Sequence, residues 1–131
     1  MGLAERRAQK AFQDNKLGAL KSELERAATF AVELEVDWES LATPDYAHLY
    51  EEAYQKVYFG PLTEALQAIT VDDLGKEALK AGLKKIVIKD EGSSWPTFEA
   101  GILTLRYTAV ANLDDGADRK KTIQETLEKA L

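Results

Sequence analysis

The strongest constraint on the fold is a run of alternating apolar and acidic residues from Val32 to Glu39, VELEVDWE. Because successive side chains of a β-strand point to opposite faces, the four apolar residues would line one face and the four carboxylates the other. This alternation is typical of a half-buried strand, with one face on a core and the other toward water. The sequence therefore predicts a strand over about 32–38 that lies on an apolar core.

Two further strands are predicted, at about 84–90 and at about 98–109. The connection between them is too short for a crossover helix, so we expect them to form an antiparallel hairpin. The acidic strand should join them, giving a small mixed or antiparallel sheet of at least three strands. With helices on its apolar face, the chain is predicted to have an α+β fold.

About six helices are predicted to cover one face of this sheet. The apolar residues of the segment 3–28 change sides along its length, so we expect a break at Asp14-Asn15. The alternative is one long helix whose two ends contact different neighbours. Thr43-Pro44 is expected to begin a third helix, because Thr can cap and Pro is tolerated in the first turn. Gly60-Pro61 is expected to interrupt that helix after Phe59.

Signals for the remaining helices are local. Thr70-Val71-Asp72-Asp73 resembles a capping box, and Gly82 is a plausible helix end. Asp114, Asp115 and Asp118 lack calcium-loop spacing and instead suit the start of a final helix, where carboxylates meet free N–H groups.

The length and charge limit the classes of function. A chain of 131 residues is expected to form a single domain, 1–131, and the net charge of −6 disfavours nucleic acid as a partner. The chain has no Cys, which excludes disulfides and thiolate metal sites. The charged start and the lack of a long apolar run predict a cytoplasmic protein without membrane segments.

The acidic strand is the first candidate site. Glu33, Glu35 and Asp37 would stand about 7 Å apart along one face. Carboxylates at such spacings can act as an acid–base pair or hold a hard cation. The perfect alternation favours an open, solvated face instead, on which Lys85, Lys89 and Arg106 of neighbouring strands could offset the charge.

A stripe of tyrosines is the second candidate site. Tyr46, Tyr50, Tyr54 and Tyr58 repeat every fourth residue, and such a stripe drifts by about 40° per step around an α-helix. The drift predicts that Tyr54 and Tyr58 are more accessible than Tyr46 and Tyr50. With Phe59, they would form an exposed aromatic edge suited to a protein partner. The alternative is that all of them pack in the core.

Two weaker constellations complete the candidates. Asp45, His48 and Glu52 have metal-ligand spacing on a helix, but they fall on its solvent side, and His48 is the only His in the chain. In the segment 92–96, GSSWP, Trp95 is expected to fold over the sheet edge, and Pro96 to block edge pairing. Neither constellation supports a catalytic residue, a cofactor or a metal.

These observations favour a small, acidic, non-catalytic cytoplasmic domain that binds a protein, as an adaptor or an inhibitor does. Its acidic surface favours basic partners. The candidate partner-binding residues are Tyr54, Tyr58, Phe59, Glu33, Glu35 and Asp37. The alternative hypothesis is a small-ligand-binding protein or enzyme that uses carboxylates with Tyr or His in a cleft between sheet and helices. The sequence leaves the partner, any substrate and the oligomeric state open.

Overall fold

The computed structural model describes residues 1–131 and contains a four-stranded mixed sheet. Its strands are β1 (Glu33–Val36), β2 (Lys85–Ile88), β3 (Thr97–Glu99) and β4 (Ile102–Leu105). They lie in the order β1-β2-β4-β3, with β1, β2 and β4 parallel and β3 antiparallel to β4. The predicted α+β fold with a sheet of at least three strands is confirmed.

Seven α-helices pack around this sheet, and their bounds are α1 (Leu3–Phe12), α2 (Gly18–Ala28), α3 (Trp38–Leu41), α4 (Tyr50–Tyr54), α5 (Gly60–Ile69), α6 (Asp73–Gly82) and α7 (Gly116–Ala130). A 3₁₀ turn at Ala47–Leu49 precedes α4. A π-helical turn at Gln13–Leu17 joins α1 to α2, and another at Gln55–Phe59 joins α4 to α5. Because these turns join α1 to α2 and α4 to α5, the helices form five continuous rods, close to the six helices predicted.

Burial alternates along the strands as the sequence predicts. On the core face, Ile86, Ile88, Leu103 and Leu105 are fully buried within a cluster of 26 apolar residues. On the opposite face, the glutamates of β1 are exposed. The helices thus cover one face of the sheet and leave the other open to solvent.

The predicted antiparallel hairpin between segments 84–90 and 98–109 is wrong, because β2 and β4 run parallel. The chain turns back at Ala100-Gly101, where both residues have positive φ, so the second segment forms two strands. The connection after β2 passes β4 and reaches the outer edge of the sheet. There β3 begins, and β4 returns between β3 and β2. A short connection suffices because it needs to cross only two strand spacings, about 10 Å.

The expected break at Asp14-Asn15 is also wrong. Backbone angles stay helical through this segment, and the wider π-helical turn holds one residue more than an α-helical turn. The alternative of one long helix applies, since α1 packs against α4 while α2 packs against α5 and α6.

Gly60-Pro61 does not interrupt the rod that runs from Ala47 to Ile69, contrary to the prediction. Pro61 cannot donate the hydrogen bond that continues an α-helix, and the π-helical turn before it accommodates this loss. The start of the rod also differs from the prediction, because regular structure begins at Ala47 rather than at Thr43-Pro44. The cap of α6 is Asp72, whose side chain accepts a hydrogen bond from Gly75 N, and not Thr70.

Candidate functional site

The tyrosine stripe lies in the core instead of forming an exposed edge. Tyr54 and Tyr58 are 0 % exposed and Phe59 is 1 % exposed, whereas Tyr46 is 47 % exposed. The predicted gradient of accessibility is therefore wrong, and it runs in the opposite direction. The π-helical turn rotates each residue by less than an α-helical turn does, so Tyr58 falls back toward the core instead of drifting outward.

Each buried tyrosine hydroxyl has a backbone partner. The hydroxyls of Tyr50, Tyr54 and Tyr58 donate to the carbonyl oxygens of Thr43, Leu41 and Tyr107, at 2.8, 3.0 and 2.6 Å. Burial raises the pKa of Tyr54 and of Tyr58 well above the usual tyrosine value. Neutral, satisfied hydroxyls of this kind hold segments together and offer no surface to a partner.

Glu33 and Glu35 of β1, with Asp37 directly after its end, form the exposed acidic surface that the sequence predicts. We call Glu33, Glu35 and Asp37 the acidic row, and all three residues are exposed. Glu35 pairs with Lys85 of β2 at 3.1 Å, while Asp37 accepts a hydrogen bond from Ser40 N at the start of α3. Glu33 makes no ion pair. The row therefore keeps most of its negative charge toward solvent.

The other two predicted basic neighbours do not reach the acidic row. Lys89 and Arg106 both pair with Glu91, at 3.4 and 3.1 Å, in the connection that follows β2. They lie beyond the carboxyl ends of their strands, whereas Lys85 lies within β2 and beside β1.

The outer edge of β1 is unpaired. Asp37 N donates to Ile88 O at 2.9 Å, which places the backbone groups of odd-numbered residues toward β2. Because these groups alternate along a strand, the N–H and C=O groups of Leu34 and Val36 point away from the sheet. No strand lies beyond β1, so these groups have no partner within the chain.

The opposite edge of the sheet is less open. β3 has three residues, and the buried Pro96 stands directly before it, where it cannot donate to a further strand. The helix α7 also packs against β3. Of the two edges, β1 is the one that can accept another strand.

A concave surface lies at the carboxyl ends of β2 and β4, where the segment 92–95 and the start of α7 line it together. Its volume is about 220 Å³, and the side chains that line it include Ser93, Trp95, Tyr107, Asp118, Arg119 and Thr122. Trp95 is 63 % exposed, so the expectation that it folds over the sheet edge is wrong. We call this surface the Arg119 cleft, and nothing in the sequence pattern singled out Arg119.

The remaining candidates form no ligand set. Nowhere in the structure do three His, Cys, Asp or Glu side chains lie together in a way that could hold a metal ion, so Asp45, His48 and Glu52 are not assembled as ligands. Asp115 is the N-cap residue of α7, with Asp118 in the first turn, although the Asp115 side chain makes no capping hydrogen bond. No helix combines the length and the apolar character needed to cross a membrane.

Comparisons with known protein families, with curated proteins and with solved structures find no match for this chain.

Proposed function

We propose that this chain is a non-catalytic protein-interaction domain that binds a basic, extended segment of its partner along β1. One observation carries the proposal: the only long unpaired edge of the sheet bears the acidic row. Extended peptides commonly bind by adding a strand to such an edge, with backbone hydrogen bonds for affinity and side chains for specificity.

Charge complementarity favours a basic partner. Three exposed carboxylates stand along four to five residues of the edge, and only Glu35 has a basic neighbour. A second copy of the chain, pairing β1 with β1, would bring like charges together across the new strand pair, which is destabilising. The acidic row therefore disfavours self-association and favours lysine or arginine opposite it.

The geometry of β1 also defines a sequence pattern for the partner. An added strand would place alternate side chains on the two faces of the sheet. On the open face they would meet Glu33 and Glu35, which suits basic residues. On the core face they would meet Leu34 and Val36, which are half-buried and could be covered further. The expected partner segment thus alternates basic and apolar residues.

The alternative, a ligand site or enzyme built on carboxylates with Tyr or His, has less support. The Arg119 cleft contains neither Glu35 nor Asp37 nor His48. His48 borders a depression of about 170 Å³ beside α1, where Glu51 already pairs with Lys16 at 3.3 Å. Tyr50, Tyr54 and Tyr58 are buried with hydroxyls bonded to backbone carbonyl oxygens, and the exposed Tyr46 borders neither depression.

The test is fluorescence anisotropy with a labelled peptide of six alternating lysine and valine residues. We expect saturable binding that weakens as salt is raised, because the charges are exposed. The double variant Glu33→Gln/Glu35→Gln should weaken binding about tenfold. The matched control, Glu64→Gln/Glu77→Gln, removes two exposed carboxylates from α5 and α6 and should bind as the parent does.

Strand addition is tested separately with two N-methylated versions of the peptide. Methyl groups on alternate residues block the N–H groups on one edge of the peptide only. One version should lose binding and the other should retain it. Equal binding of both versions would exclude strand addition, and equal effects of the two double variants would overturn the proposal.

A further inference from the structure

Arg119 is a buried cation without a carboxylate partner. It is 8 % exposed, and no Asp or Glu oxygen lies within 4.0 Å of its guanidinium. Nη1 and Nη2 donate to the carbonyl oxygens of Asn112 and Ala111, at 2.8 and 2.7 Å. The guanidinium carbon lies 5.5 Å from the centre of the Tyr107 ring. Buried charges are normally paired, so an uncompensated guanidinium is a favourable place for an anion.

The guanidinium also has donors to spare. An arginine side chain carries five N–H donors in a fixed planar arrangement. Two of them are used by the backbone carbonyl groups, and these bonds fix the plane of the guanidinium. Because Arg119 lines the cleft, its remaining donors are held in place for an acceptor that enters from solvent.

Trp95 is an exposed aromatic side chain that lines the cleft. Trp95 exposes 63 % of its surface at the tip of the segment 92–95, and that segment is anchored at its base by Asp90, whose carboxylate accepts from Gly92 N and Ala109 N at 3.0 Å each. An exposed indole on an anchored segment can cover a flat apolar body. Ser93 and Thr122 also line the cleft, and their hydroxyls are bonded within the chain, to Trp95 and to Tyr107 and Arg119 respectively.

The charge balance of the cleft selects the class of anion. Asp118 also lines it and is exposed, but its carboxylate is not within 4.0 Å of the guanidinium and makes no ion pair. Asp118 repels every anion in the cleft, but it repels a phosphate dianion more strongly than a carboxylate, which carries a single negative charge. A volume of about 220 Å³ admits only a small molecule.

We infer that the Arg119 cleft binds a small aromatic carboxylate, with its carboxylate on Arg119 and its ring against Trp95. This site is separate from the acidic row of β1, and its occupancy does not depend on the function proposed above. The location agrees with the general position of ligand sites in sheets with parallel strands, outside the carboxyl ends of those strands.

The experiment is an NMR titration of the full chain, labelled with ¹⁵N, using sodium benzoate as the probe. We expect saturable shifts of the amides of 92–95 and 118–119 and of the Trp95 indole. The indole of Trp38, which packs against Phe12 and Tyr54, should not move. Benzyl alcohol, inorganic phosphate and sodium chloride at equal concentration should produce no saturable shift at these positions.

Variants at exposed positions keep the inference falsifiable even if Arg119→Gln fails to fold. Asp118→Asn should tighten benzoate binding about threefold by removing a nearby negative charge. Trp95→Ala should weaken it about fivefold. Glu33→Gln/Glu35→Gln should leave it unchanged. Shifts that follow sodium chloride, or affinities that neither Asp118→Asn nor Trp95→Ala alters, would overturn the inference.

Discussion

The hydroxyl of Tyr58 donates a 2.6 Å hydrogen bond to the carbonyl oxygen of Tyr107, two residues beyond the end of β4. The hydroxyl of Tyr107 in turn lies 2.8 Å from that of Thr122 in α7. Tyr58 and Tyr107 thus connect three segments that are distant in sequence, through two successive hydrogen bonds in the core. The connection links the end of β4 to the C-terminal helix, which also packs against α5 and lines the Arg119 cleft.

Removing the first of these hydroxyls should destabilise the protein. Tyr58→Phe leaves the buried carbonyl of Tyr107 without its donor, and we expect a loss of about 1–2 kcal/mol in the free energy of unfolding. Tyr46→Phe, at a largely exposed position, should change it by less than about 0.5 kcal/mol. Urea denaturation of both variants measures the difference, and equal effects would contradict the assigned role.

The buried tyrosines also make stability dependent on alkaline pH. Burial raises the pKa values of Tyr54, Tyr58 and Tyr107 above the value near 10 that they have in the unfolded chain. Their contribution is fully present below pH 10. As the pH rises further, the unfolded state loses these protons first, so the free energy of unfolding should fall.

An absorbance titration of tyrosinate, followed in parallel with circular dichroism, tests this dependence. Most of the tyrosinate signal should appear together with the loss of helical structure. If three or more of the five tyrosines ionised while the fold stayed intact, their burial would be refuted.

The backbone at the end of α2 is strained, and a glycine there should relieve the strain. Thr29 follows the helix with φ 70° and ψ 14°, a left-handed conformation that a β-branched residue rarely adopts. Thr29→Gly should stabilise the protein by about 0.5–1 kcal/mol. The control Ser22→Gly, inside the same helix, should destabilise it by a similar amount. Thermal melts of both variants should therefore shift in opposite directions.

Two substitutions in the turn between β3 and β4 should change the stability of the protein in opposite directions. Ala100 and Gly101 have φ 53° and 80°, as a two-residue hairpin turn requires. Ala100→Asn should stabilise the protein by about 0.5–1 kcal/mol, because Asn tolerates this conformation. Gly101→Ala should destabilise it, since φ 80° is unfavourable for Ala and the added methyl would lie 2.5 Å from Lys84 Cγ and 3.2 Å from the carbonyl oxygen of Gly82. A denaturation midpoint above that of the parent for Ala100→Asn, and below it for Gly101→Ala, would confirm this prediction.

The two faces of the sheet should respond differently to substitution. Ile88→Asp places an unpaired charge in the fully buried face and should cost about 3 kcal/mol or more. Glu35→Thr, on the open face, should alter stability by less than about 0.5 kcal/mol, because its ion pair with Lys85 is exposed. Similar losses from both would overturn the assignment of faces.

The faces of β1 could be predicted from the sequence because the two-residue period of a strand is a local property. The alternation of Glu33, Leu34, Glu35 and Val36 needs no knowledge of neighbouring strands. Strand pairing, in contrast, is not a local property of the strand. The parallel contact of β2 with β4 depends on the turn at Ala100-Gly101, and Ala gives little indication of a left-handed backbone.

The exposure of the tyrosines could not be predicted for a related reason. The expected drift assumed one regular α-helix through all four tyrosines, but Tyr46 lies before the helix, and the wide turn at Gln55–Phe59 brings Tyr58 back toward the core. Arg119 was missed because an isolated arginine in a helix has no distinctive spacing. Its significance comes from the backbone carbonyls at Ala111 and Asn112, which only the folded chain brings to it.

Because of the wide turns at Gln13–Leu17 and Gln55–Phe59, the number of residues in each of these two rods determines which side chains face the core. A chain that lost one residue from either turn could still form a helix there. The helical segment after the turn would then be rotated by about 100° relative to the segment before it. Apolar residues would then face water without any change in composition. Homologues that lack such a residue are therefore expected to carry compensating substitutions along a whole helix, so that insertions and deletions at these two places mark divisions between subfamilies.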